Sequence, residues 1–567
     1  GNGQGNGTGQ GNGNGQGNGN GQGNGNGQGN GNGQGNGNGN APGQTGDTPG
    51  NSGNAPGQTG ELPGCNGVGN PRCAGNVNAA RQAPVVLDDS DGLSEGEQWL
   101  RESPDTDLDS LAEIVGVVDE TRFAAAGRVG VAVIDTGVAE VPGLDHVIHG
   151  PDLSFDSQAP NLTHVDGYGH GTHIAGIIGG RGVAGADGVE LVGLAPDADL
   201  YSVKVGSHSG AVDVSQVIAA VDWVAQHADD YGIRVLNLSF GTDAVQAWDV
   251  DPLAFAVENA WRAGVVVVVS AGNDGESRDA LRNPALSPWV LAVGASDSQG
   301  TTATADDSLA EFSNRGTDAR RVDVLAPGTG IVSYRVPGSI LDEAYPAARR
   351  GAAGFSGHGT SQAAAVASGV VVRLLQAHPS ATPDQIKAAL VATARPLAGG
   401  DPAAGAGGID LGAASAALAR GTSRPLQSHA AGEATGTLDA ARDTMRVADQ
   451  APYFSRGGSF VPLAGEVDVH GQPFDVAAWA AESAAGSSWD GGVWNGVEWT
   501  GEGFSDDALL GRSWVGRSWV GRSWVGRSWV GRSWVGRSWV GRSWVGHSWD
   551  DDTNQFLSEG WLSVNPW

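Results

Sequence analysis

Four short stretches hold side chains that together can cleave a carbonyl bond. Asp135 lies in Val-Ile-Asp-Thr-Gly (133–137), His170 in Gly-His-Gly-Thr-His-Ile-Ala-Gly (169–176), Asn273 in Ser-Ala-Gly-Asn-Asp-Gly (270–275) and Ser361 in Gly-His-Gly-Thr-Ser-Gln-Ala-Ala (357–364). A serine hydroxyl becomes a nucleophile when an imidazole takes its proton, and a carboxylate can orient that imidazole and stabilise its charged form. Ser361 stands at the start of an apolar helical run, where its own N–H is not claimed by the helix and can help bind an oxyanion. The helix dipole favours negative charge at the same place. The Asn273 amide, at the end of an apolar strand, can donate to an oxyanion too.

Each stretch also has a plainer reading. Asp-Thr-Gly occurs in aspartic peptidases, which need two carboxylates sharing a proton. There is no second copy here, so that chemistry would require a dimer. Gly-Thr-Ser can simply cap a helix, and Asn273 can serve a left-handed turn. His170 and His173 are spaced like a metal pair, but no His-Glu-x-x-His arrangement accompanies them. His173 reads as a packed structural histidine. It is the order of all four stretches in one chain that favours the nucleophile.

Side chains so far apart in sequence need a scaffold to bring them together. Residues 129–134, 200–205, 235–240 and 265–269 read as buried strands; 173–178, 214–228, 362–377 and 383–394 read as helices. Continuous apolar strands spaced by helices indicate a parallel sheet covered on both faces. The expected fold is α/β, a doubly wound, mainly parallel sheet with helices on both faces, flanked by low-complexity tails. Asp135 then falls at a strand's carboxyl end, where open sheets of this kind place their sites.

Composition divides the 567 residues further. Residues 1–80 are a Gly/Asn/Gln-rich stretch that cannot bury enough apolar area to offset its conformational entropy, and read as a disordered tether. Residues 81–126 are acidic, with a helix expected near 93–101. Residues 127–420 form the α/β domain, 421–485 a small accessory region with a β-rich unit near 460–469, and 486–567 a Trp-rich tail. Seven Gly-Arg-Ser-Trp-Val units fill 511–545 of that tail. A five-residue period gives no single apolar face on a helix or a strand. Its readings stay open: a solenoid, a glycan, cell-surface or lipid contact, a disordered tail, or a self-associating segment.

A net charge of −31 argues against general nucleic-acid binding. No run of about 18 apolar residues occurs, so no transmembrane helix is expected. The sequence starts at Gly1 without an apolar leader; a removed leader and a fragmentary chain are both open readings. Cys65 and Cys73 can pair if the protein is exported, or remain free thiols in a linker.

With these stretches in hand, residues 128–395 resemble the subtilisin-like serine peptidases. The resemblance rests on 133–137, 169–176, Val-Gly-Leu-Ala-Pro-Asp-Ala-Asp-Leu-Tyr-Ser-Val-Lys-Val (192–205), Val-Leu-Asn-Leu-Ser-Phe-Gly (235–241), 270–275, and Gly359 to Ser361 with the helix that follows. The chain order Asp, His, Ser is that of subtilisin. It implies that Asp135 orients His170, that His170 acts as base and then acid, and that Ser361 attacks the scissile carbonyl. Asn273 and the Ser361 N–H would form the oxyanion hole. Gly210, Ala211 and Val212, with Ser239, Phe240 and Gly241, would pair with an extended peptide, and Ser270, Ala271 and Gly272 would line the pocket for the residue before the cut. Protein or peptide substrates, an extracellular or cell-surface setting and broad specificity follow from the same resemblance.

The chain departs from the family at Gln362, where Met is usual, at Ala365, where Pro is usual, and at His358, which could perturb the charge of the site. No cofactor is required for the chemistry. A structural calcium is compatible with the family, but the 181–191 loop does not match its calcium loop, so no metal ligand is assigned. Family members often carry a folded inhibitory propeptide; 81–126 is a candidate vestigial one, though short. The rival expectation is a non-catalytic surface or adhesive protein displaying the Trp repeat on a degenerate fold. The complete set of Asp135, His170, Ser361 and Asn273 argues against it.

Overall fold

The computed structural model describes residues 103–500, apart from 119–126, 160, 244–245, 276–279, 399–400, 422–428, 444–445 and 450–460, together with 512–515. The expected tether, the Cys65–Cys73 pair, the helix near 93–101 and the repeats beyond 515 lie outside the described residues.

The elements that frame the site are, in chain order, α1 (Leu108–Val115), β1 (Gly130–Asp135), β2 (Ile148–Asp152), α2 (His170–Gly179), β3 (Asp199–Lys204), α3 (Val214–Tyr231), β4 (Ile233–Leu238), α4 (Pro252–Arg262), β5 (Val266–Ser270), β6 (Leu291–Asp297), β7 (Val324–Pro327), α5 (Thr360–Ala377) and α6 (Pro383–Thr393). The sheet runs β7-β6-β5-β4-β1-β3-β2, with every neighbouring pair parallel; a short antiparallel strand, Ser308–Leu309, adds to β6. Every residue of β1 and β5 is buried, so both faces of the sheet are covered. Helices α3 and α4 pack on each other, as do α2 and α5. The expected α/β fold is the observed one.

Local sequence explains where the helices start. Asp213 caps α3 in a capping box with Gln216; Asp251 caps α4 ahead of Pro252; Thr382 caps α6 in a second box with Gln385. Helix α1 falls inside the acidic 81–126 segment, yet its Leu108, Leu111, Ile114 and Val115 are buried in the main core. That part of the segment is integral to the domain.

Beyond the α/β domain, the described residues of 429–500 pack on α3 and α4. A short strand at Val461–Pro462 pairs antiparallel with Arg446–Asp449 there, and helix α7 (Val476–Ala484) follows. Asp222 on α3 is fully enclosed. Its carboxylate accepts from the Trp479 and Trp494 indoles at 2.8 and 2.9 Å and from the Ser483 hydroxyl at 2.6 Å. Trp489 donates to the Ala219 carbonyl at 2.9 Å, and Trp499 is 2% exposed. The five-residue Trp spacing at 489, 494 and 499 is thus core packing in two tight antiparallel turns. The first pentapeptide, Arg512–Val515, pairs antiparallel with Arg446–Asp449.

Candidate active site

Strands β5, β4, β1 and β3 lie side by side and parallel, so their carboxyl ends form one row. In register, Lys204 sits beside Asp135, Leu238 beside Ile134, and Val269 beside Leu238. The row therefore brings the 205–212 segment, Asp135, Ser239 and Ser270 to one edge. With strands about 4.8 Å apart, the Asp135 and Ser270 ends stand roughly 10 Å from each other.

At the first of these ends, His170 Nδ1 lies 2.8 and 3.0 Å from the two Asp135 carboxylate oxygens, with both residues buried. Asp135 also accepts from the Thr136 N–H at 2.8 Å. His170 opens α2 after a left-handed Gly169, and Gly171 must be glycine because a Cβ there would stand 2.1 Å from the Gly137 carbonyl oxygen. The loop is held by Asp166, which accepts from the Gly169 N–H (2.7 Å), the Thr136 hydroxyl (2.8 Å) and both donors of Thr172 (2.9 and 2.6 Å). Full burial raises the Asp166 carboxyl above its ordinary value, partly offset by these donors. Such a carboxylate-bound imidazole has one nitrogen held in place by its partner.

At the other end, Asn273 follows β5 and faces the start of α5. Its Oδ1 accepts from the Thr360 N–H at 2.8 Å and hydroxyl at 2.9 Å, and that hydroxyl accepts from the Gly272 N–H at 3.1 Å. These two bonds turn the Asn273 carboxamide oxygen toward Thr360. Ser361 is the second residue of α5 and is buried, so its N–H has no intrahelical acceptor. Behind it, buried Arg282 bridges Asp274 and Asp243, tying the Asn273 loop to the segment after Gly241. Asn314 adds two more bonds to the same loop, accepting from the Asp274 N–H at 2.7 Å and donating to Ala280 O at 3.0 Å.

The other expected site residues line the same edge. Gly210 is left-handed, and a Cβ there would press within 3.0 Å of the Tyr168 ring; Ala211 and Val212 are buried beside it. Ser239, Phe240, Ser270 and Ala271 are buried, and Gly272 takes φ +119°.

At His358, burial, and then Arg350, push the imidazole down to about 3. Its Nδ1 accepts from the Gly330 N–H at 2.9 Å. His173 is packed as expected, with Nε2 against the Ile331 and Phe355 carbonyls and its value pushed down to about 3, mainly by burial. Gln362 and Ala365 are fully buried. Residues 181–192 form a short antiparallel pair. Among the described residues no group of three or more His, Cys, Asp or Glu is arranged to hold a metal ion, and no helix is long and apolar enough to cross a membrane.

Sequence reasoning missed Asp166, Thr360, Arg282 and Asn314. Thr360 alone carried a local signal, since it adjoins Ser361; the others act through partners distant in sequence.

The doubly wound sheet, with these groups gathered at its carboxyl edge, is a subtilisin-like α/β fold. The chain belongs to the Subtilase family, whose family model matches residues 127–419. It is 36% identical over 281 residues to Serine protease AprX of Bacillus subtilis (strain 168), covering 48% of this chain and 62% of that protein. It is 32% identical over 272 residues to Subtilisin DY of Bacillus licheniformis, covering 48% of this chain and 85% of that protein. The crystal structure of fervidolysin from Fervidobacterium pennivorans, described as a keratinolytic enzyme related to subtilisin, aligns with a TM-score of 0.44 at 30% identity, over 62% of this chain and 51% of that one. The chain spans less than two thirds of the length of AprX.

Proposed function

We propose that this chain is a serine endopeptidase working through an acyl-enzyme. The buried Asp135–His170 pair at 2.8 Å carries the reading, together with family membership. Asp135 holds Nδ1–H, which leaves Nε2 as the base. Ser361 Oγ attacks the scissile carbonyl carbon as its proton passes to Nε2. The oxyanion is bound by the Asn273 amide and the Ser361 N–H. The C–N bond then breaks, and the imidazolium gives its proton to the leaving amine. Water attacks the acyl group with His170 again taking the proton, and Ser361 is restored. No metal or cofactor takes part in these steps.

The peptide is read as an added strand between Gly210, Ala211 and Val212 on one side and Ser239, Phe240 and Gly241 on the other, with Ser270, Ala271 and Gly272 around the residue before the cut. Main-chain pairing of this kind supports broad specificity. We assign the protein an extracellular or cell-surface setting, with the pentapeptides beyond 515 as a surface contact.

Hydrolysis of a denatured protein by wild type and by Ser361→Ala, with a serine-reactive phosphonate as probe, tests the chemistry. Activity that survives the substitution, or a phosphonate that does not label Ser361, overturns it. Because 489–499 are core, the tail is tested by deleting 516–567. Hydrolysis should persist and surface retention should fall; unchanged retention rejects the contact.

A further inference from the structure

The family match ends at residue 419, yet the chain continues onto the same domain and reaches the two segments that flank the peptide cleft. The first is 210–212. Its next residue, Asp213, is fully buried and receives Arg442 in a fork, Nε at 2.7 Å and Nη2 at 3.1 Å. Arg442 is itself fully buried, and its guanidinium also donates to the Gly465 and Val467 carbonyls. One residue past the α3 start, the Ser215 hydroxyl accepts from the Val469 N–H at 3.0 Å. The second segment is 239–241. Just beyond it, the Gln246 side chain exchanges two bonds with the Thr437 backbone, at 3.3 and 3.2 Å.

We infer that the described residues of the C-terminal segment 429–500 brace substrate binding, with Arg442 a positioning residue that fixes the 210–212 edge through Asp213. A peptide added as a strand binds in proportion to how well both edges are preset, since ordering them on binding costs affinity. Asp213 serves two ends at once, capping α3 and anchoring the edge before it. A segment that merely covered the apolar faces of α3 and α4 would need no buried ion pair at that cap, because burying two charges is costly unless their geometry is used. The inference rests on the peptidase reading and on 210–212 and 239–241 as peptide-pairing edges.

The full chain tests it. Arg442→Met, Gln246→Ala and the double variant Asp213→Asn with Arg442→Met are compared with wild type, each normalised to phosphonate-titrated sites. The double variant keeps a capping side chain and removes both charges, so it decides if Arg442→Met alone does not fold. Two substrates are used: a peptide with four residues before the cut, and an ester with only one. The KM for the long peptide should rise about tenfold in the Arg442 variants and less in Gln246→Ala, with kcat for the ester within about twofold of wild type. An unchanged KM for the long peptide, or equal losses on both substrates, overturns the brace. Wild type that neither labels nor hydrolyses overturns the peptidase reading itself, and the brace falls with it.

Discussion

Thr360 donates twice to one oxygen of Asn273, from its backbone N–H at 2.8 Å and its hydroxyl at 2.9 Å. The bond pair turns the carboxamide oxygen of Asn273 toward Thr360, and the proposed oxyanion contact falls to its NH₂. Asn273→Ala should therefore lower kcat by about 10²–10³, the range known for a subtilisin relative, with KM little changed. Thr360→Val keeps the backbone bond and loses the hydroxyl, so its cost should be about tenfold. Steady-state kinetics on a peptide substrate measure both. A Thr360→Val enzyme with wild-type kcat would show that the hydroxyl does not aim Asn273.

The Asp135–His170 pair predicts a second loss. In Asp135→Asn the side chain can donate to Nδ1, which stabilises the other imidazole tautomer and leaves Nε2 protonated. The base is then unavailable at the moment of attack. We expect kcat to fall by about 10⁴ with the fold intact. Circular dichroism and phosphonate labelling rates separate this outcome from misfolding; labelling at the wild-type rate would contradict it.

Much of this site was legible because its key groups sit in short Gly-flanked stretches. Gly169 and Gly171 around His170, and Gly359 before Ser361, mark places where the backbone turns or approaches closely, and such marks are local. The supports were not legible. Asp166 joins Thr136, and Arg282 joins Asp243 to Asp274, through contacts that only the folded chain creates. Strand β6, Leu-Ala-Val-Gly-Ala-Ser-Asp, has too few large apolar residues to announce itself, and β2, Ile-His-Gly-Pro-Asp, carries the Gly and Pro that only an edge strand tolerates. The Trp spacing left its readings open for the same reason. What fixes Trp479 and Trp494 is a buried carboxylate on α3, more than 250 residues earlier.

Gly171→Ala gives a steric test of the His170 loop. The added methyl would stand 2.1 Å from the Gly137 carbonyl oxygen and 3.1 Å from the Asp135 Cβ. The first neighbour is backbone and cannot turn aside, so α2 must shift away from β1 and carry His170 with it. We expect at least a hundredfold loss of kcat/KM and about 1–3 kcal/mol of destabilisation from overpacking. Chemical denaturation and kinetics read the two effects. Full activity would mean that the loop is not held against β1 as described.

The cap of α4 predicts a pH dependence of stability. Asp251 is fully buried, and burial raises its carboxyl to about 6, against 3.8 ordinarily, despite bonds from the Ala254 N–H and the Gln246 amide. A carboxyl with a raised folded value binds its proton more tightly in the folded state. Its stabilising contribution is complete below pH 3.8, is lost as the pH rises through 3.8 to about 6, and changes no further above that. A shift of this size corresponds to roughly 3 kcal/mol. Asp251→Asn can keep the cap on Ala254 but cannot titrate. Relative to wild type, the variant should therefore gain about 2 kcal/mol between pH 4 and pH 8, whatever its offset from the altered Gln246 contact. Urea midpoints at the two pH values measure the difference. A variant whose offset from wild type is the same at both would show that Asp251 is ionised in the fold across that range.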